Sequence, residues 1–136
     1  MDPDDAGDDP HGTLLARLAT GAEATGVVDS RFGTGVVGLG PGDLVVWLGD
    51  VVDPGREAVA AAVVRIDGST AVVRAAGART DALVARLGGE VAALASARGC
   101  TAVAADPDGP GVPGPTAVVA RSGLVGAGPD RWTVEE

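Results

Sequence analysis

DPGREAVAAAVVRIDGSTAVVRA, Asp53 to Ala75, is the stretch whose reading decides the fold. Asp53-Pro54 makes a helix cap followed by a first helical residue, and Ala58 to Val64 can continue as a helix. That choice gives strand, helix, strand, helix, strand from Asp43 to Ala105, the half-domain of an α/β doubly wound fold. Val59 to Ile66 and Thr70 to Ala75 are also both strand-like, and Asp67-Gly68 between them is a short hairpin signal, because glycine supplies the positive φ of a tight turn. The hairpin is the preferred reading. It implies an α+β sandwich with an antiparallel or mixed sheet, the doubly wound fold remaining the alternative.

Downstream, Thr80 to Arg98 reads as a helix. Thr80 can cap it, Asp81 suits its positive end, Leu83, Leu87, Val91 and Leu94 form a buried stripe, and Gly99 ends it. Gly88-Gly89 in its middle costs about 1 kcal/mol per glycine relative to alanine, which points to a kink or a close backbone contact there. Strands are expected at Thr101 to Ala105, Thr116 to Ala120 and Arg131 to Val134. Upstream, Leu14, Leu15, Leu18 and Ala22 form a helical stripe over Thr13 to Thr25, with Gly26 as its stop. Val27 to Phe32, Val36 to Leu39 and Asp43 to Leu48 read as three strands of a meander, separated by Gly33-Thr34-Gly35 and Gly40-Pro41-Gly42.

Residues 1 to 11, rich in Asp, Gly and Pro and ending at His11, are expected to be a disordered acidic tail. Residues 12 to 136 form one domain. Asp106 to Pro115 holds four prolines and three glycines and reads as a loop, mobile or acting as a lid.

The 136 residues contain no lysine and no tyrosine, one histidine (His11) and one cysteine (Cys100). A Schiff-base lysine, a phosphate-loop lysine, a two-histidine metal site, a cysteine zinc site and an internal disulfide are therefore impossible within one chain. Phe32, Trp47 and Trp132 are the only large rings. A core of Val, Ala and Leu packs thinly, so self-association is a natural way to bury more surface. The formal charge is −9, and five of the nineteen acids lie in the tail. The rest is only mildly acidic, and its arginines are scattered singly, which disfavours nucleic acid. No apolar run approaches the ~20 residues of a membrane span, and the N-terminus is acidic where a signal peptide is basic; a cytoplasmic protein is expected.

Gly33-Thr34-Gly35-Val36-Val37-Gly38 matches the dinucleotide fingerprint in letters, but Gly40-Pro41-Gly42 follows at once and no helix can start. A glycine-rich hairpin is the simpler reading, and no cofactor-binding or metal residues are assigned. Cys100 reads as a small buried hydrophobe. Asp43, Asp50 and Asp53 cluster around one strand, and Asp106 and Asp108 follow another. They can bind a cationic ligand or a hard metal through carboxylate oxygens, or serve as turn residues and caps.

One ordered set of motifs carries a resemblance. Gly40-Pro41-Gly42-Asp43-Leu44-Val45, then Pro54-Gly55, the run Val59-Ala60-Ala61-Ala62-Val63-Val64-Arg65-Ile66, a second strand ending Ala75-Ala76-Gly77, and a long helix ending Arg98-Gly99 resemble the pyruvoyl-dependent arginine decarboxylases over about half the chain. The resemblance implies an αββα-type sandwich, a homo-oligomer, specifically a trimer, and self-cleavage between Asp29 and Ser30. Attack of the serine on the preceding carbonyl gives an ester that eliminates to leave a pyruvoyl group derived from Ser30, an electron sink for decarboxylation. Asp43, Asp50 and Asp53 would then face the substrate's guanidinium. Two departures stand beside it: the family's paired serines are Asp29-Ser30 here, and its catalytic glutamate is replaced in Val73-Arg74-Ala75. An inactive relative, a binding or regulatory subunit of the same kind of fold, or an unrelated small-ligand α/β domain with its site at strand ends near Asp50 and Asp106 are the other readings.

Overall fold

In the computed structural model, which describes residues 14–40, 42–50, 59–128 and 131–133, the decisive stretch is a hairpin. Strand β3 (Ala60–Asp67) pairs antiparallel with β4 (Thr70–Ala78), closed by Gly68 at φ 62. Five consecutive β3 residues, Ala60 to Val64, have no exposed surface, because helices cover both faces of this central strand. Burial on both sides gives a continuous apolar run instead of alternation.

The remaining strands extend the sheet on either side. In chain order they are β1 (Leu14–Ala19), β2 (Asp43–Asp50), β5 (Ala102–Ala105), β6 (Val125–Gly128) and β7 (Arg131–Thr133). The single seven-stranded sheet runs β1-β2-β3-β4-β5-β7-β6. Among the described strands only β4 and β5 pair in parallel. Their crossover is the long helix α2 (Asp81–Ala97), where the Thr80 side chain accepts from Leu83 N–H at 3.2 Å and Gly99 leaves the helix at φ 76. Two further helices complete the layers, α1 (Gly21–Phe32) and α3 (Pro115–Ala120).

The sheet separates two cores. On one face Ala24 and Val28 of α1 meet Val45, Trp47, Ala61, Val63 and Ala75. On the other, Leu83, Leu87 and Val91 of α2 and Val118 and Val119 of α3 meet Leu48, Ala62, Val64, Val73 and Val103. Alanine on the central strands lets both helical layers come close, so a chain poor in aromatics still reaches full burial. On the α1 face the Arg17 guanidinium of β1 lies 5.7 Å from the ring centre of Trp47, its cross-strand partner.

The chain thus has the α+β class with a mixed sheet, and its layers are helix, one sheet, helix. The doubly wound alternative survives only in the β4–α2–β5 unit. Four local expectations are corrected. Thr13 to Thr25 is not one helix: β1 ends at Ala19 and α1 begins at Gly21, whose φ is 64. Val27 to Phe32 is the second half of α1, where Ala24, Val28 and Phe32 recur at helical spacing against the sheet; Gly26, with open space around it, does not stop the helix. Val36 to Leu39 is turn and loop. Thr116 to Ala120 is the helix α3, with Pro115 in its first turn. The tail, residues 1 to 11, lies outside the described residues.

Candidate functional site

The residues singled out by the decarboxylase resemblance lie in the last turn of α1. Ser30 is exposed and Asp29 half-buried, and the Asp29 carbonyl accepts from Gly33 N–H at 3.0 Å. The Asp29–Ser30 peptide thus lies within regular hydrogen-bonded helix.

The structure separates the acids grouped around the third sequence-level strand. Asp43 opens β2 and Asp50 closes it, so at the rise of an extended chain they stand about 23 Å apart. Asp53 lies outside the described residues. Asp106 follows β5, and its carboxylate accepts the Asp108 N–H at 3.0 Å in an Asx turn, which gives it a local role. Among the described residues no three His, Cys, Asp or Glu side chains form a metal site.

What the fold does assemble is Asp43 with two arginines. Asp43 and Arg65 are direct cross-strand partners on β2 and β3. The Asp43 side chain has no exposed surface, and its oxygens accept from Arg65 Nε at 2.9 Å, Arg65 Nη2 at 3.2 Å and Arg74 Nη1 at 2.6 Å. A fourth bond, from Gly40 N–H at 2.8 Å, ties in the loop that precedes β2. Arg74 also donates to the Gly38 carbonyl at 3.2 Å.

Arg74 reaches this place by strand alternation, two residues on from Val72, the cross-strand partner of Arg65, and a β-bulge follows it. Val64 pairs with Val73 and Val63 with Ala75, which leaves Arg74 with no partner on β3. Val73 packs toward α2, Ala75 toward α1 and Ala76 toward α2 again. The extra residue therefore puts Arg74 and Ala75, neighbours in sequence, on the same face. The Asp43–Arg65 pair was open to sequence reasoning, since the hairpin and a preceding antiparallel strand align them. Arg74 was open to the same reasoning, since it lies two residues on from Val72, which faces Arg65; the bulge that brings Ala75 beside it is what nothing in the letters marks.

The other motifs have structural roles. Gly33 to Gly38 follows the C-terminus of α1, so the amides of a helix start are not there to hold a pyrophosphate. Cys100 is buried between α2 and β5. The Asp106 to Pro115 segment is bonded along β4: Ala76 N–H donates to Pro110 O and Ala78 N–H to Val112 O, both at 3.1 Å, continuing the sheet past the end of β5. Gly109 packs directly on the Arg74 carbonyl and Gly111 on that of Ala76. Two concavities, of about 250 Å³ between β1 and α2 and about 240 Å³ between the end of α1 and Val112, are both smaller than a usual drug-sized pocket. No helix among the described residues is long and apolar enough to cross a membrane. The chain matches no family model, no curated protein and no solved structure.

Proposed function

We propose that this chain is a non-catalytic binding or regulatory domain whose ligand site is the Asp43, Arg65 and Arg74 cluster. The observation that carries the reading is a carboxylate with no exposed surface holding two arginines whose side chains are 44% and 30% exposed. A buried acid spent on orienting two surface cations is a preorganised recognition element. It also supplies no general base, since Asp43 is shielded from solvent and accepts four hydrogen bonds. Where the decarboxylase family carries its glutamate this chain has Val73-Arg74-Ala75, and Arg74 belongs to the cluster. Self-association into a homo-oligomer is part of the proposal, supported by the outer edge of β1, which pairs with no other described strand.

Intact mass under denaturing conditions tests the non-catalytic reading. One uncleaved chain of 13.2 kDa is expected. Two fragments divided between Asp29 and Ser30, the larger bearing a reducible keto group, would overturn it in favour of the pyruvoyl decarboxylase. Sedimentation equilibrium tests the second part, and a monomer at all concentrations would remove it.

A further inference from the structure

We infer that the Arg65–Arg74 pair binds a small oxyanion, a carboxylate or phosphate group, on its solvent side; the inference rests on the binding reading above and names its ligand class. Arg65 alone neutralises Asp43 through two hydrogen bonds, and Gly40 N–H adds another. Arg74 is thus a second positive charge on a carboxylate already balanced, and the cluster carries a net charge of about +1 from one Asp and two Arg side chains.

The donors left over point to the same class. A guanidinium has five N–H groups in a planar fork that matches carboxylate and phosphate oxygens. Among the described residues, Nη1 of Arg65 and Nε and Nη2 of Arg74 have no partner, while Arg65 Nε and Nη2 and Arg74 Nη1 are held on Asp43. Arg65 is held by one edge and Arg74 by one nitrogen, and both side chains keep part of their surface exposed. The bond from Arg74 to Gly38 O fixes that side chain further, so little rotamer entropy remains to be lost when an anion binds. The Gly40 position fits the same picture, because a Cβ there would come within 3.0 Å of Arg65 Nη2.

The test is an NMR titration of the arginine Nε–H signals at fixed ionic strength, with inorganic phosphate in one arm and succinate in the other. Saturable shifts of Arg65 and Arg74 with a Kd of about 1 mM or tighter are expected in at least one arm, and the arm that saturates identifies the source of the oxyanion. Arg74→Gln should weaken binding at least about tenfold while the fold survives, since Asp43 keeps Arg65. Arg121→Gln, on the opposite side of the sheet, should bind as the wild type does. If Arg74→Gln does not fold, Arg74→Lys replaces it with the same expected loss, because one ammonium engaged with Asp43 and Gly38 has no second row of donors. Non-saturating shifts shared by all the arginines, or unchanged affinity on removing the Arg74 fork, would overturn the proposal. A chain found cleaved at Ser30 yet still losing affinity with Arg74→Gln would refute only the non-catalytic reading, whereas an uncleaved chain without saturation would refute the oxyanion site.

Discussion

Gly88 and Gly89 are neighbours in the middle of α2, and replacing each with alanine should move stability in opposite directions. Helix propensity favours alanine by about 0.8–1.0 kcal/mol at both positions. At Gly89, which is exposed, an added Cβ meets nothing within 4 Å, so Gly89→Ala should stabilise by nearly the full amount, about 1 kcal/mol. At Gly88 the same atom would stand 2.5 Å from the Val118 carbonyl oxygen and 3.0 Å from the Ser122 backbone. Those obstructing atoms belong to α3 and its end, and the Val118 carbonyl is already committed to Arg121 N–H at 3.1 Å. Relief requires α3 to move, and with it Val118 and Val119, which have no exposed surface. Overpacking of this kind costs about 1–3 kcal/mol, and backbone obstruction belongs at the upper end. After the propensity gain, Gly88→Ala should destabilise by about 1–2 kcal/mol. The two variants should therefore differ by about 2–3 kcal/mol, or roughly 6–15 °C in Tm for a domain of this size. Thermal and urea unfolding followed by circular dichroism measure this. Stabilisation by both alanines would refute the close approach of α2 to α3.

Thr80→Ala removes the acceptor for Leu83 N–H and should cost about 1 kcal/mol in urea unfolding, while Thr80→Ser stays within a few tenths; equal stability of all three would show that the cap contributes nothing. Arg121, by donating a hydrogen bond to Asp81 and by its charge, lowers the Asp81 pKa below the usual carboxylate value. The pair's contribution to stability is thus complete above about pH 4 and is lost as pH falls through the depressed value. In a carboxyl NMR titration Arg121→Gln should raise the Asp81 midpoint, and an unmoved midpoint would count against the pair. Gly109→Ala forces a Cβ against the Arg74 carbonyl and should weaken oxyanion binding several-fold with no change of charge, an effect absent if the Arg74 backbone is loosely held.

The parts of the fold legible in the sequence are those where local and tertiary preferences agree. Asp67-Gly68 turns β3 into β4, Thr80 and Gly99 bracket α2, and the close contact expected of Gly88-Gly89 is the meeting with α3. The misread parts lie where tertiary contacts override a weak local pattern. In β1, Arg17 and Ala19 turn toward α1 while Ala16 and Leu18, both exposed, turn toward α2, so no apolar alternation marks a strand. Val27 and Val28 favour a strand by propensity, yet Val28 is fixed in a helix by burial against Val45 and Val63. The signal that finds α1 is the Ala24, Val28, Phe32 spacing, and the signal for α3 is Gly114-Pro115 before an apolar run. Strand β6, Val125 to Gly128, escapes notice because half its residues are glycine.

The same logic explains why acids rather than arginines stand out in the sequence when the proposed site is cationic. Asp43, Asp50 and Asp53 are close in the chain, but an extended strand carries neighbours in sequence apart, and only cross-strand partners meet. Asp43 therefore finds Arg65, twenty-two positions away, and not Asp50. The third member joins by strand alternation, since Val72 pairs with Arg65 and Arg74, two residues on, shares that face. Strict alternation along β4 would set Arg74 opposite Ala75; the bulge puts both on the α1 face, and the Asp106 to Pro115 segment holds the far side of β4 through Pro110 and Val112. Arg74 is thus clamped between β3 and a glycine-lined loop, with Gly109 against its carbonyl. A segment that reads as a loop or a lid packs against the Arg74 backbone. That support helps a mildly acidic domain hold two arginines on one buried carboxylate, a cluster with one net positive charge.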